Sequence, residues 1–219
     1  MNNLTLIIGN KNYSSWSLRA WLLLRAFGVH FKEIRIPLDS PETPELLAKY
    51  SPSKKVPVLQ IGHFKVWDSL AIAETVNERY LQGAGWPKDP DLRALGRAAC
   101  AEMHSGFSAL RASMPMNCRR EISGFQPNSA TAADIARIDS LLNECLTSSE
   151  GPYLMGEHFS IADAFFAPVA YRLQGYQVSV SEPVSAWIRH LFHLPALQAW
   201  HSEACAESEI IETEEVADG

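Results

Sequence analysis

The sequence lacks several features that would assign it to a special class of protein. Its four cysteines, Cys100, Cys118, Cys145 and Cys205, are widely spaced and form no Cys-x-x-Cys pair, which argues against a disulfide framework and a zinc site. No run of about 18 uncharged apolar residues occurs, so no membrane-spanning helix is expected. The first residues lack the basic start of a secretory signal. We therefore expect a cytoplasmic protein without a metal cofactor.

Basic residues are scarce at the carboxyl end. The formal net charge is −6 at pH 7, and no Lys or Arg follows Ser202. Because the rest of the chain has nearly balanced charges, the protein is not basic enough to predict a nucleic-acid partner. Residues 206–219 are expected to form a solvated or frayed acidic tail, and Arg119-Arg120-Glu121 is expected to form a solvated patch.

Two adjacent serines lie in the stretch from Tyr13 to Arg19, between two apolar patterns. Leu4 to Gly9 predicts a buried strand, and Trp16 to Phe27 predicts a helix that Gly28 ends in the left-handed conformation. The first turn of a helix has unpaired N–H groups and a positive dipole end, which stabilise an anion and lower the pKa of a thiol. A serine there either donates a hydrogen bond to a thiolate or simply caps the helix.

The next residues predict a β-α-β unit followed by a hairpin. Residues 31–36 alternate apolar and charged side chains and predict a strand parallel to the first. Residues 45–50 predict a short helix. Gly62-His63 is a tight turn, and residues 64–67 complete a hairpin with the strand before it.

Two short motifs flank this hairpin. Lys55-Val56-Pro57-Val58-Leu59 enters its first strand, where a proline permits a cis peptide bond at modest cost and has no N–H to donate. A trans proline at a strand entry is the alternative. After the hairpin, Asp68 or Ser69 caps a helix that runs to about Tyr80, and the start of this helix is a second anion site.

The remainder of the chain predicts helices. Residues 82–90 are rich in Gly and Pro and predict a linker between one domain at 1–81 and another at 91–205. A single long helix is predicted from Asp91 to about Arg111. Four of its residues would share one face: His104, Phe107, Ser108 and Arg111. That face is typical either of a substrate-pocket wall or of a solvated surface with one buried phenylalanine.

Further helices follow, one of them with a distinctive start. Residues 131–146 predict a long helix with an apolar face. Ser160-Ile161-Ala162-Asp163 then forms a capping-box variant, in which the serine caps the helix and the aspartate bonds back to the cap. The buried helix that follows includes Pro168, which should bend it. Two last helices are predicted over 185–192 and 195–203.

The order of these motifs resembles the soluble glutathione S-transferase superfamily of the serine type, over most of the chain. The matching motifs are Ser14-Ser15-x-Ser17-x-Arg19, Lys55-Val56-Pro57-Val58-Leu59, Asp68-Ser69-Leu70-Ala71-Ile72 and Ser160-Ile161-Ala162-Asp163. The first is most similar to the zeta class and to bacterial glutathione transferases. The resemblance implies an α/β plus all-α protein, with a thioredoxin-like domain of order β-α-β-α-β-β-α and a helical second domain.

The resemblance also implies roles for individual residues. Ser14, with Ser15 as the reserve, would donate to the glutathione thiolate. The cis Val56-Pro57 peptide would pair with the cysteinyl backbone. Asp68 and Ser69 would hold the ammonium and carboxylate of the γ-glutamyl end. Lys54 or Lys55 would reach the glycyl carboxylate, unless it is a solvated surface lysine.

The activity implied is conjugation of glutathione to a small hydrophobic electrophile, as in cytoplasmic, homodimeric detoxification enzymes. The second-substrate pocket would be formed by four residues: Trp16, His104, Phe107 and Arg111. One alternative is a glutathione-dependent isomerase of the maleylacetoacetate isomerase type, although that class has cysteine at the position of Trp16. Another alternative is a non-enzymatic binding scaffold.

Overall fold

The computed structural model describes residues 4–217, and its first part is built on a mixed four-stranded sheet. The strands are β1 (Leu4–Ile8), β2 (Lys32–Arg35), β3 (Val58–Ile61) and β4 (Phe64–Val66). They lie in the order β2-β1-β3-β4. β1 pairs with β2 in parallel, and β3 pairs antiparallel with both β1 and β4. The predicted parallel unit and hairpin are therefore confirmed.

Helices cover both faces of this sheet and form the second part of the molecule. They are α1 (Ser15–Ala26), α2 (Thr43–Tyr50), α3 (Ser69–Arg79), α4 (Pro90–Ser105), α5 (Ser108–Ser113), α6 (Ser129–Ser149), α7 (Ile161–Gly175), α8 (Glu182–Phe192) and α9 (Pro195–Cys205). None of the helices within residues 4–217 combines the length and the hydrophobicity that a bilayer crossing requires. The division into domains with a linker at 82–90 stays a prediction, and in the structure this stretch connects α3 to α4.

Helix α1 is buried along most of its length because other elements cover it from several sides. It packs against α3 and, in the helical part, against α7 and α9. All residues from Ser17 to Leu24 are buried. Gly28 has a φ of +67° directly after the helix, so its predicted left-handed conformation is confirmed. The amino terminus of α1 is thereby fixed at the junction between the sheet and the helical part.

The prediction of one long helix from Asp91 to Arg111 is wrong. The helix stops at Ser105, and Phe107 adopts the left-handed conformation with a φ of +58° before α5 begins. The Arg111 guanidinium donates to the carbonyls of Met103 and Gly106, at the carboxyl end of α4. Carbonyl groups at the end of a helix have no hydrogen-bond donor within the helix. The Arg111 guanidinium donates to two of them and so stabilises the end of α4.

The capping box at the start of α7 is confirmed. Asp163 is completely buried, and one of its carboxylate oxygens accepts from the Ser160 backbone N–H and hydroxyl at 2.9 and 2.6 Å. Its other oxygen accepts from the Leu154 N–H and the Trp187 indole N–H, both at 2.9 Å. Burial raises the pKa of Asp163, and these four donors oppose the rise. The aspartate therefore joins α7, α8 and the preceding loop.

The expectation of a solvated tail is wrong for residues 206–217, while 218–219 lie outside the described residues. The Glu207 carboxylate accepts from the backbone N–H groups of Lys11 and Asn12 at 2.8 and 3.0 Å. Glu215 accepts from the hydroxyl of Tyr13 at 2.5 Å. The acidic side chains thus accept hydrogen bonds from the loop before α1. These bonds hold residues 206–217 against the rest of the protein.

The expected solvated patch at 119–121 is also corrected for its two arginines. The Arg119 guanidinium donates to the backbone oxygens of Glu207 and Glu209 at 2.6 and 2.9 Å. The Arg120 guanidinium forms an ion pair with Glu215 at 3.2 Å. These contacts could not be predicted from local sequence patterns, because the two arginines lie almost 90 positions before the acidic segment that they bind.

Candidate functional site

Two adjoining cavities open at the junction of the sheet and the helical part. The first has a volume of about 410 Å³ and extends from the amino terminus of α1. The second has a volume of about 420 Å³ and extends from the amino terminus of α3. Trp16, Lys55 and Val56 line both cavities. The amino termini of α1 and α3, each with a serine hydroxyl, therefore lie at two adjoining cavities.

Ser14 occupies the N-cap position of α1, but its hydroxyl makes no capping hydrogen bond. Instead the hydroxyl donates to the Ser17 hydroxyl oxygen at 2.7 Å, and Ser17 also accepts from the Gly9 backbone N–H at 3.1 Å. Ser17 is completely buried. The side chain of Ser14 is therefore fixed by a second serine and remains at the wall of the first cavity.

Ser15, at the first position of α1, has a different partner. Its hydroxyl oxygen accepts from the Arg172 guanidinium at 3.5 Å. Arg172 is buried, and it also donates to the backbone oxygens of Met114 and Pro168 at 2.7 and 3.2 Å. Burial, assisted by the neighbouring charge of Arg111, lowers the pKa of Arg172 to about 10, and it stays charged at neutral pH. Both predicted serines thus line one cavity, and Ser15 accepts a hydrogen bond from an arginine whereas Ser14 donates to a serine.

Trp16 forms the wall between the two cavities. The Arg19 guanidinium lies 4.3 Å from the centre of its ring, and the Arg111 guanidinium lies 5.4 Å from it. The His104 ring meets the Trp16 ring edge to face at 5.2 Å. Because cations are attracted to the face of an indole ring, these contacts fix the orientation of Trp16.

Sequence reasoning gave no role in the site to Arg19 and did not find Arg172. Arg19 and Arg172 are both at least 96% buried, and Nε and Nη1 of Arg19 have no hydrogen-bond partner among residues 4–217. Burial, followed by the charge of Arg172, lowers the pKa of Arg19 to about 9. A signal was present for Arg172, because it is the one charged residue of α7 after Asp163 and follows an apolar run from Ala164 to Ala170. Of the two arginines, Arg172 lines the first cavity, and a buried guanidinium group beside a cavity favours an anionic ligand.

The second cavity contains the predicted γ-glutamyl pair. Asp68 caps α3, with one carboxylate oxygen accepting from the N–H groups of Leu70 and Ala71 at 3.0 and 3.4 Å. Its other oxygen lies 3.0 Å from Nε2 of His104. Ser69 is completely buried, and its hydroxyl has no hydrogen-bond partner within the part of the chain that the structure describes. An unpartnered buried hydroxyl at a helix amino terminus points to a bound acceptor.

Of the remaining predicted site residues, some lie at the cavities and one does not. The Val56–Pro57 peptide bond is cis, as the resemblance implied. Lys54 and Lys55 are exposed at the rim of the first cavity. Phe107, in contrast, is buried in the core and lines neither cavity, because the predicted single helix is interrupted between α4 and α5. The same break separates His104, in the second cavity, from Arg111, in the first.

No group of three or more metal-ligating side chains is brought together within residues 4–217. The two cavities are lined by serine hydroxyls, by the guanidinium-bearing residues Arg111 and Arg172, and by the amino termini of α1 and α3. The fold and these cavities define a class of two-part proteins, in which a thioredoxin-like sheet part and a helical part meet at a junction lined by two cavities.

Comparison with known families identifies this class. The family model for the glutathione S-transferase N-terminal domain matches residues 13–79, and the model for the C-terminal domain matches residues 118–202. The chain belongs to the glutathione S-transferase family. Both predicted parts of the fold, the thioredoxin-like domain and the helical domain, are thereby confirmed.

Individual relatives are distant. Glutathione S-transferase 1 of Dianthus caryophyllus is 28% identical over 170 residues, which cover 77% of this chain and 76% of that protein. A probable maleylacetoacetate isomerase of Caenorhabditis elegans is 27% identical over 192 residues, covering 86% and 88%. A solved glutathione transferase homologue from Burkholderia GL BGR1, with bound glutathione, has a TM-score of 0.71 at 24% identity, covering 92% and 98%.

Proposed function

We propose that this protein binds glutathione across the two cavities and transfers its thiolate to a small electrophile. The observation that carries the proposal is the pairing of two helix amino termini across a shared wall. Ser14 lies at the start of α1 and the unpartnered hydroxyl of Ser69 lies at the start of α3. A tripeptide with a thiol in its middle and a carboxylate at its γ-glutamyl end fits that pairing.

The thiol is activated by position rather than by a general base. A thiolate at the start of α1 is stabilised by the free N–H groups and the helix dipole. Ser14 adds one hydrogen bond when its hydroxyl turns toward the sulfur. Ser17 permits that rotation, because it accepts from Gly9 and can donate its own hydrogen back to Ser14. Lowering the pKa of the thiol by about two units leaves most of it ionised at neutral pH.

The rest of glutathione is bound by the residues around the second cavity. The Val56 backbone beside the cis proline pairs with the cysteinyl backbone, and Ser69 donates to the γ-glutamyl carboxylate. Asp68 faces the ammonium group with the carboxylate oxygen that also meets His104. Lys54 or Lys55 reaches the glycyl carboxylate from the rim.

Replacing Ser69 by alanine is expected to weaken glutathione binding without lowering the stability of the free protein. The variant should bind glutathione about tenfold to 100-fold more weakly, because a charge-assisted hydrogen bond is lost. The free protein should be as stable as the parent or slightly more stable, since the replacement removes a buried hydroxyl that has no partner among residues 4–217. Calorimetric titration gives the first quantity and urea unfolding gives the second. Unchanged affinity would remove Ser69 from the glutathione site.

The electrophile enters the first cavity, against Trp16. The thiolate forms a carbon–sulfur bond, and the electron pair leaves with a halide or with the oxygen of an opened epoxide. Assays with aryl halides and epoxides test this directly. Glutathione-dependent product above the uncatalysed rate supports the transferase, and no turnover across the panel would contradict it.

A second candidate function is cis–trans isomerisation of a dienoic acid, which the arginine cluster favours. Arg111 and Arg172 line the first cavity and would bind substrate carboxylates. The thiolate adds to one alkene carbon, rotation follows about the new single bond, and the thiolate leaves. Relatives named maleylacetoacetate isomerase cover most of the chain.

Turnover of a cis-dienoic diacid distinguishes the two candidates. If the isomerase is correct, Arg172→Gln should lower kcat/KM for the diacid at least tenfold more than kcat/KM for a neutral aryl halide, because a charged contact is lost. Equal losses on both substrates would remove the arginine argument for isomerisation.

We also infer that the protein acts in the cytoplasm as a homodimer with a detoxifying role. Its four cysteines are all free, and three of them are buried, which fits a reducing compartment. The dimer and the role are typical of the family. Light scattering of the purified chain tests the dimer, since a monomer would contradict it.

A further inference from the structure

The acidic carboxyl-terminal segment, residues 206–217, contributes a side chain to the first cavity. Glu214 ends a short 3-10 turn, is half-buried and lines the cavity together with Ser15, Arg111 and Arg172. The family model for the helical domain ends at residue 202, so this carboxylate comes from a part of the chain outside the matched domain.

The position of Glu214 is fixed by its neighbours on both sides. Ile211 is buried at the start of the turn. On the other side, Glu215 accepts from the hydroxyl of Tyr13 and from the side-chain amide of Asn117 at 2.5 and 2.9 Å. Because Tyr13 directly precedes the two active-site serines, the segment is anchored beside the reacting end of the site.

Glu214 lines the first cavity and has no direct counter-ion in the part of the chain that the structure describes. Within residues 4–217 no cation lies within ion-pair distance of it, while Arg172 is close enough to act on it electrostatically. Burial raises the pKa of Glu214 and the charge of Arg172 opposes that rise. Arg111 and Arg172 thus supply two positive charges to the cavity, and Glu214 supplies one negative charge.

We propose that Glu214 is a specificity-determining residue that limits the negative charge of the second substrate. The proposal rests on the proposed glutathione transfer. A carboxylate on the electrophile is attracted by the two guanidinium groups and repelled by Glu214, which offsets part of their field. The pocket therefore accepts an electrophile with little negative charge more readily than the arginines alone would permit.

A matched pair of electrophiles and a matched pair of variants test this proposal. The electrophiles are chlorodinitrobenzene, which is neutral, and chlorodinitrobenzoate, which carries one carboxylate. In Glu214→Gln the ratio of kcat/KM for the benzoate to kcat/KM for the benzene should rise about fivefold to tenfold, the size expected for a partly buried charge several ångströms away. Glu212→Gln makes the same change of net charge at an exposed position of the same turn, and should leave the ratio as it is in the parent.

The outcomes separate this inference from the proposed function. If the parent conjugates both compounds and the two variants have the same ratio, Glu214 does not set specificity and the inference is overturned. If the parent conjugates neither compound, the wider panel of aryl halides and epoxides decides whether the proposed transfer fails. In that case calorimetric titration with the benzoate alone still decides the matter, because Glu214→Gln must bind it more tightly than Glu212→Gln. Equal unfolding midpoints of the two variants verify that both are folded.

Discussion

Replacing Ser14 by alanine is expected to lower kcat/KM for glutathione conjugation about 100-fold to 1,000-fold, the usual loss when one donor to a developing or bound anion is removed. The Ser14 hydroxyl lies at the wall of the first cavity and at the start of α1. Without it, the pKa of the bound thiol should rise toward the value of about 8.5 for an ordinary thiol. Steady-state kinetics and the ultraviolet absorbance of the bound thiolate, followed across pH, measure both effects.

Ser15→Ala is the matched control, since it removes the same hydroxyl one residue later. Ser15 accepts from Arg172 and lies at the same wall, so its loss should affect turnover much less than the loss of Ser14. The assignment would be reversed if Ser14→Ala left turnover unchanged while Ser15→Ala abolished it.

Replacing Asp163 by alanine is expected to lower the free energy of unfolding by about 3–5 kcal/mol, the usual loss when one member of a buried charged network is removed. Four donors from three parts of the chain converge on this carboxylate: the Ser160 N–H, the Ser160 hydroxyl, the Leu154 N–H and the Trp187 indole N–H. All of them would be left buried without an acceptor. Urea unfolding followed by tryptophan fluorescence measures the loss.

Asp89→Ala provides a control with the same residue type at an exposed helix start. Asp89 caps α4 and accepts from the N–H groups of Asp91 and Leu92 at 3.0 and 2.8 Å. Its removal should cost about 1 kcal/mol, the typical value of an N-cap. If Asp163→Ala were no more destabilising than Asp89→Ala, the carboxylate at 163 would be an ordinary cap and not the junction of α7 with α8.

Much of the fold could be predicted because its signals are local. The alternation of β2, the apolar run of β1, the left-handed Gly28 and the capping box at Ser160 each depend on a few neighbouring residues. Such patterns dictate backbone conformation before any tertiary contact forms. The serine pair at the start of α1 and the Asp68-Ser69 pair at the start of α3 could be predicted for the same reason.

The features that sequence reasoning missed depend on contacts between distant residues. The break after Ser105 is an exception, because Gly106 is a local signal for the end of a helix and Arg111, which binds back to the end of α4, is only five residues further on. The acidic segment looked solvated because its partners, Lys11, Tyr13, Arg119 and Arg120, lie about 90 to 200 positions away. The approach of Arg172 to Ser15 spans 157 positions. Local periodicity contains no information on any of these pairs.

The central claim, that this site binds glutathione as a thiolate, is tested most directly by calorimetric titration with glutathione in buffers of different ionisation enthalpy, repeated across pH. We predict binding in the micromolar to millimolar range, with release of close to one proton near neutral pH, because the start of α1 and the Ser14 hydroxyl stabilise the ionised sulfur. Binding without proton release would show that the site holds the peptide but does not activate its thiol. No binding at all would contradict the transferase account and favour a glutathione-independent scaffold.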